Sequence, residues 1–421
     1  MHYFQFRNEV LHCENLPVES IAEQIDTPFY LYSKKTLLEN YRRNERAFQG
    51  VEHLICYALK ANSNGMLLRM LAQQGAGADV VSGGELQLAL QAGFPADKIV
   101  FAGVGKRDEE IRQALEYDVL ALNVESEEEL RVVDLLARDL GKTAPVALRL
   151  NPDIDIEGHP YISTGKAVNK FGIDMPTANR VFQEIKKYAN IKLVGLHCHI
   201  GSQITRVEPY IQIVKFLSSF VKELREMDLE LSCVDMGGGV GVPYQNALAS
   251  ATNEAARVAG EQLTIEKLMD EIRGDLQALN ARIIFEPGRS LIAEAGILVT
   301  KVLFRKCSGG KHFVIVDAGM TDLLRPSLYQ AYHEIVAVHP KSAQTFEADV
   351  VGPICETGDF LAQNRELPQV ERGDLLAVMT AGAYGYALTS NYNARPKPAE
   401  VLVDESEFQI IRERGKITEL Y

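Results

Sequence analysis

A lysine that closes a run of apolar residues is a candidate nucleophile, and Lys60 in HLICYALKAN is such a residue. Flanked by strand-like apolar side chains, its amine loses solvation, which lowers the pKa and frees the nitrogen to form an imine. The competing reading is a lysine whose stem follows the strand while the ammonium reaches the rim. Gly237, Gly238 and Gly239, continued by Val240-Gly241, can offer bare backbone N–H groups to a phosphate or form no more than a tight turn. Gly288 is a second point of close approach. In Glu286-Pro-Gly-Arg289 a carboxylate stands near a guanidinium. It is either an ion pair holding the loop or a carboxylate set against the ring nitrogen of a pyridoxal phosphate. That placement keeps the ring able to accept the electrons left when a bond at Cα breaks. In GLHCHIGSQ, His197 and His199 fall on one strand face. They can bind a metal, although no further His or Cys set completes the shell. An imidazole stacked on a cofactor ring, followed by the Ser202 hydroxyl for a phosphate, needs fewer missing parts.

Residues so far apart need a scaffold that gathers them. Between about Cys56 and Glu286, short β-rich runs alternate with amphipathic runs such as EEELRVVDLLARDLG, as in repeated βα units. Eight strands are expected near Ile55, Val80, Val100, Leu120, Leu148, Leu196, Val234 and Ile284. Eight such units over about 250 residues match a closed (β/α)8, TIM-type barrel, whose active site forms at the C-terminal ends of its strands. Lys60, Asp79, Arg149, His197, His199 and Glu286 all fall at or near those ends, and loops after strands seven and eight commonly seat phosphate. After Glu286, runs such as GILVTKVLFRKC, KHFVIVDAG, DLLAVMTAG and AEVLV are separated by Gly, Pro and Asp. The fold class expected is α/β plus β, with the barrel over 27–294 and a mainly β domain from 295–421 together with 1–26. The alternating HYFQFRNEVLHC could add a strand to that second domain.

A formal charge of −13, from 44 basic and 57 acidic residues with no long basic run, argues against nucleic acid or an acidic membrane as partner. No stretch reaches the roughly 18 apolar residues of a membrane span, and the N-terminus lacks the pattern of an export signal. The six cysteines show no CxxC pair, which suits a reducing cytoplasm. A small-molecule ligand is the expectation.

The motifs YALKANSN, GADVVSGGE, HPYISTG, NKFGI, GLHCHIGSQ, DMGGGVGVPY, EPGR, DAGM, RPSLY, CETGD and GAYGYALTSNYNARPKPAEVLV together resemble the diaminopimelate decarboxylase family nearly end to end. The resemblance implies an alanine-racemase-like barrel with a C-terminal β domain, and a homodimer with active sites shared at the subunit interface. It also implies conversion of meso-diaminopimelate to L-lysine and carbon dioxide, the last step of lysine biosynthesis. By motif, Lys60 would carry pyridoxal 5′-phosphate as an imine, His199 would stack on its ring and Glu286 would pair with its nitrogen. Ser202, Gly239, Gly288 and Tyr384 would hold the phosphate, with Asp79, Arg149 and Arg289 also in the cofactor site. Arg289, Arg325, Tyr329 and Tyr384 would face substrate. Cys355, with Lys60 one of two candidate proton donors, and Glu356, for the distal amine, would come from the neighbouring subunit. Arg325 read alone is a surface arginine at a turn before Pro326. The nearest rival, an ornithine- or arginine-type decarboxylase of the same fold, typically has Asp after the interface cysteine, where Glu356 stands here. A non-catalytic regulatory relative would be expected to lack Lys60 or the phosphate glycines. Thr357 and a helix-like insert at 246–262 are the departures from the family pattern.

Overall fold

A computed structural model describes residues 2–152, 170–245, 247–248 and 263–419. The HPYISTG motif and nearly all of the 246–262 insert lie outside the described residues. The chain divides into two compact units, one of residues 41–241 with 263–288 and the other of 1–40, 242–262 and 289–421.

The first unit is a closed barrel of eight parallel strands. In order they are His53–Ala58, Gly77–Val80, Ile99–Phe101, Ala121–Val124, Ala144–Arg149, Ile191–His197, Cys233–Asp235 and Arg282–Phe285, the eighth pairing with the first. Each segment expected near Ile55, Val80, Val100, Leu120, Leu148, Leu196, Val234 and Ile284 supplies one of them. Helix starts are specified locally. Asn64, Ser82, Ser126, Asp174 and Thr264 each turn a side-chain oxygen onto a first-turn backbone N–H, satisfying a donor that has no intrahelical partner. Helix Glu208–Glu226 buries Ile213, Val214, Leu217, Phe220, Val221 and Leu224, a stripe at spacings of three and four that packs its apolar face away from water.

The second unit is a mixed sheet built on the thirteen-residue strand Gly296–Ser308. Its first half pairs antiparallel with Phe29–Ser33 and Leu375–Val378, and its second half with Lys311–Val316. Its core gathers Phe29, Leu31, Ile297, Val299, Ala377, Val401 and Val403 with Phe4 and Leu11. Phe29–Ser33 thus lies inside the 27–294 span yet hydrogen-bonds in this sheet, next to Gly296–Ser308 and Ala399–Asp404. All five of its residues are buried, so FYLYS carries no alternation to tell one sheet from another. The N-terminal HYFQFRNEVLHC contributes its strands to this same unit. Rather than lengthening the large sheet, Phe4–Arg7, Val10–Cys13 and Leu16–Pro17 form a three-stranded sheet of their own. Among the described residues no helix is long and apolar enough to cross a membrane.

Candidate active site

Inward-facing positions of a barrel strand recur every second residue. The lower interior layer is apolar, with Cys56, Val100, Ala121, Ala147, Cys233 and Ile284 packed together. Two residues further toward the C-terminal ends, Ala121 gives way to Asn123, Ala147 to Arg149, Cys233 to Asp235 and Ile284 to Glu286, all buried. A register irregularity between Leu193 and Gly195 brings His197 into the same layer, opposite Arg149 on one side and Asp235 on the other.

Just past the first strand, the turn Leu59–Ala61 presents Lys60, whose Nζ lies 2.7 Å from Asp79 Oδ2. The expected desolvation of this lysine is not what the structure has, since its side chain is 39% exposed and is held by a fully buried carboxylate. Burial pushes the Asp79 carboxyl up, and Glu286 adds to the rise against the pull of Lys60. A carboxyl so balanced can take a proton from the amine it holds.

Glu286 sits in a different balance. Burial alone would raise it, but His197, whose Nε2 is 3.6 Å from Oε2, together with Lys60 and a hydrogen bond from Asp235, holds it below the usual carboxylate range. Asp235 goes the other way, raised well above its ordinary value by burial and then by the charge of Glu286. The shared proton therefore belongs to Asp235, and Glu286 is the anion. Asp235 is itself fixed by the Gly237 N–H at 2.8 Å and the Asn123 amide at 3.3 Å.

His199 takes a hydrogen bond from the Gly238 N–H at 3.2 Å on Nδ1. Burial, then the charges of Arg149 and Lys60, lower its pKa well below the ordinary value, so the ring is a neutral flat plate. Gly237 and Gly238 direct their N–H groups to Asp235 and His199, so those two donors are already engaged. Gly239 has φ +98°, and a Cβ there would collide with the Gly201 carbonyl oxygen. Ser202 is half-buried in the loop facing this run. Arg149 Nη1 donates to Glu125 Oε1 at 2.9 Å, and the guanidinium lies 4.9 Å from the Phe171 ring centre. Glu125 also accepts the N–H groups of Gly103 and Gly172, so it binds two other loops as well as the arginine.

The second unit carries its own polar cluster. Arg289 and Arg325 are each 6% exposed, and both guanidiniums face the Tyr244 ring, at 5.8 and 4.5 Å. Arg289 also donates to the Tyr244 hydroxyl and lies 4.9 Å from the Tyr384 ring centre. Arg325 Nη1 is 2.8 Å from His333 Nε2, which accepts because Nδ1 donates to the Met379 carbonyl. Arg325 is thus no surface residue at a turn. Tyr384 adopts φ +56°, a strained backbone for a residue with a Cβ. Tyr329, half-buried, ends the short helix that Arg325 begins. Cys355 and Glu356 lie elsewhere in this unit on an exposed loop, where the Cys355 N–H donates to Asn393 and Asp359 accepts from Ile354.

A family model described as "Pyridoxal-dependent decarboxylase, pyridoxal binding domain" matches residues 34–293. A diaminopimelate decarboxylase of Aquifex aeolicus is 45% identical over 412 residues, 98% of this chain and 95% of that one. The solved diaminopimelate decarboxylase of Helicobacter pylori complexed with L-lysine is 42% identical with a TM-score of 0.89, covering 96% of this chain and 98% of that one. That of M. jannaschii in co-complex with L-lysine is 37% identical with a TM-score of 0.91, covering 99% and 96%. The chain belongs to the diaminopimelate decarboxylase family.

Pyridoxal 5′-phosphate is the cofactor of this family, and the barrel residues fit it. Among the described residues, the buried polar atoms without a partner include five in the upper barrel layer. Those five are Asp79 Oδ1, Asn123 Oδ1, both His197 ring nitrogens and Glu286 Oε1. Such atoms are costly unless something pairs with them. An anionic Glu286 oxygen beside a neutral His199 plate is the acceptor that a ring N–H needs. His197, weighed from the sequence as a metal ligand beside His199, instead groups with Asp235 and Glu286, their donor atoms within 4.8 Å of one another. The sequence reading passed over Asp235, Glu125, Tyr244 and His333. Asp235 was open to the alternation rule, two residues past Cys233 in SCVDMG. The other three carry no local signal.

Proposed function

We propose that this chain removes one carboxylate from meso-diaminopimelate and releases L-lysine and carbon dioxide. The observation that carries this choice over an ornithine- or arginine-type substrate is the pair of buried guanidiniums, Arg289 and Arg325, around Tyr244. Diaminopimelate has a second carboxylate for them to bind, whereas ornithine and arginine have none. The solved relatives complexed with L-lysine agree with that product.

Bound pyridoxal phosphate supplies an electron-accepting ring that lets the Cα–carboxylate bond break. Lys60 would hold the cofactor covalently through its Nζ, and Asp79, 2.7 Å from that nitrogen, would take up the proton that the lysine must lose. Glu286 would pair with the ring nitrogen and keep it protonated, and His199 would stack on the ring. Ser202, Gly239, Gly288 and Tyr384 hold the phosphate, while Arg149 is fixed for the same site by Glu125. Tyr329 and Tyr384 line the substrate with Arg289 and Arg325, and Glu356 accepts its distal amine. The carboxylate leaves as carbon dioxide and a proton takes its place at Cα, delivered by Cys355. Cys355 and Glu356 act in the site of the neighbouring subunit of a homodimer, which agrees with their exposure on this chain. The barrel unit, 41–241 with 263–288, is the cofactor domain, and the unit of 1–40, 242–262 and 289–421 serves substrate and dimer. Six free cysteines agree with a cytoplasmic location.

The test is lysine release from meso-diaminopimelate, with L-ornithine and L-arginine as controls and the visible absorbance of bound cofactor read alongside. Lysine formed from diaminopimelate, with neither control decarboxylated, supports the proposal. Turnover of ornithine or arginine overturns the substrate, and absence of cofactor absorbance after loading revives the non-catalytic reading.

A further inference from the structure

His197 is the buried residue whose presence the reaction above does not explain. It is 1% exposed, at the end of the sixth strand, and neither ring nitrogen has a hydrogen-bond partner. A buried imidazole left so costs stability, and a glycine or alanine would avoid the cost. What it faces is Glu286, at 3.6 Å, with Asp235 on the strand between them. The backbone sets this grouping. His197 is registered against Asp235, Asp235 against Ile284, and Glu286 follows Ile284 by two, on the same face. Asp235 is tied to Gly237 and Asn123 and does not move freely.

We propose that His197 is a positioning residue that clamps Glu286 Oε2 against the Asp235 carboxyl, so that Oε1 is left as a localised acceptor for the cofactor's ring N–H. Two carboxyl groups this close share one proton, and either oxygen of Glu286 could take part. A donor on the far side of Oε2 breaks that symmetry. The groups facing Glu286 are Asp235 from the adjoining seventh strand and His197 from the sixth strand beyond it, with Lys60 and Asp79 from the first and second. Of these, His197 approaches Oε2, while Lys60 is engaged by Asp79. Removing His197 returns Glu286 to a symmetric pair with Asp235 and weakens the bond to the ring nitrogen without touching the ring's other contacts.

The inference rests on the reading of Glu286 given above, and the experiment separates the two. Apoprotein is titrated by absorbance with pyridoxal 5′-phosphate and with its 1-deaza analogue, in which a carbon replaces the ring nitrogen. Wild type prefers the natural cofactor by about tenfold or more, the size of a hydrogen bond to a charged group. His197→Gln and His197→Asn lose most of that preference while binding the analogue as wild type does, and that unchanged affinity also shows that they fold. Equal weakening for both cofactors means that His197 is packing alone and overturns the proposal. Full preference in both His197 variants, with preference lost in Glu286→Gln, overturns it while sparing the role of Glu286. Full preference in Glu286→Gln as well overturns both.

Discussion

Replacing Arg325 by Gln removes one cation of the proposed carboxylate clamp with little change of shape. The guanidinium is 4.5 Å from the Tyr244 ring centre and 2.8 Å from His333 Nε2, and it is 6% exposed. A glutamine amide can still donate to that imidazole, so no acceptor is stranded, but it cannot supply charge to a carboxylate. A hydrogen bond to a charged group contributes about 1.5–3 kcal/mol, or roughly 10–150-fold in kcat/KM at about 1.4 kcal/mol per decade. Burial places Arg325 toward the upper part of that range, because little water screens the pair. The assay is initial-rate lysine release from meso-diaminopimelate, with cofactor absorbance confirming equal loading. D-lysine, which lacks the distal carboxylate, serves as control substrate, and whatever turnover the parent shows with it should be the same in the variant. A loss of equal size with both substrates would refute the reasoning, since the arginine would then act on the fold or the cofactor.

Lys60→Ala should lose the absorbance of covalently held cofactor, and borohydride-reduced protein should show no added mass; an adduct on another lysine contradicts the assignment. Random mixing of Lys60→Ala and Cys355→Ala chains should restore about a quarter of parental activity, since half the dimers are mixed and each holds one intact site. No recovery in verified mixed dimers argues for a site within one chain. His333 bears on acid stability. Burial, then the charge of Arg325, holds its pKa well below the ordinary value, so the folded protein keeps it neutral. A histidine depressed in the folded state contributes stability above about pH 6.5 that is lost at up to about 1.4 kcal/mol per pH unit below it. Thermal melts at pH 7.5 and 5.5 should therefore differ less in His333→Gln than in the parent, and an equal difference in both rules His333 out as a contributor.

The barrel was legible because its information is local. Each strand is short and β-rich, each helix repeats at three and four, and Asn64, Ser82, Ser126, Asp174 and Thr264 mark helix starts. Once the strands are placed, the site residues at their ends follow from a spacing of two. Phe29–Ser33 was harder, because a strand buried throughout has no polar face to assign it to a layer, and its partners lie more than 260 residues away. Lys60 was read by its apolar neighbours, but the residue that governs it, Asp79, is 19 positions on. The Arg325 partners Tyr244 and His333 are joined to it by folding alone, and nothing around either residue in the chain announces the contact.

A layer of buried acids and a histidine is an odd thing for a barrel to keep unless it has work to do. Asp79, Asp235 and Glu286 are all inside, with carboxyl groups that raise one another's cost of ionisation. Replacing such a layer by fitted apolar side chains is commonly neutral or stabilising. Stability gives no reason for three acids here. A site that must hold an amine, a ring nitrogen and one proper proton balance does. The same groups divide their labour by environment. Asp79 is raised and stands beside the amine, Asp235 is raised and keeps the shared proton, and Glu286, held down by His197, carries the charge. Carboxyls whose surroundings drive their pKa values apart mark the acid and base positions of a catalytic site. Asp235→Asn then becomes the most informative conservative change in the layer. If Asp235 already holds the proton, the amide should replace it with a loss of less than about tenfold in kcat. A collapse as deep as that of Glu286→Gln would show that the charge resides on the other carboxyl.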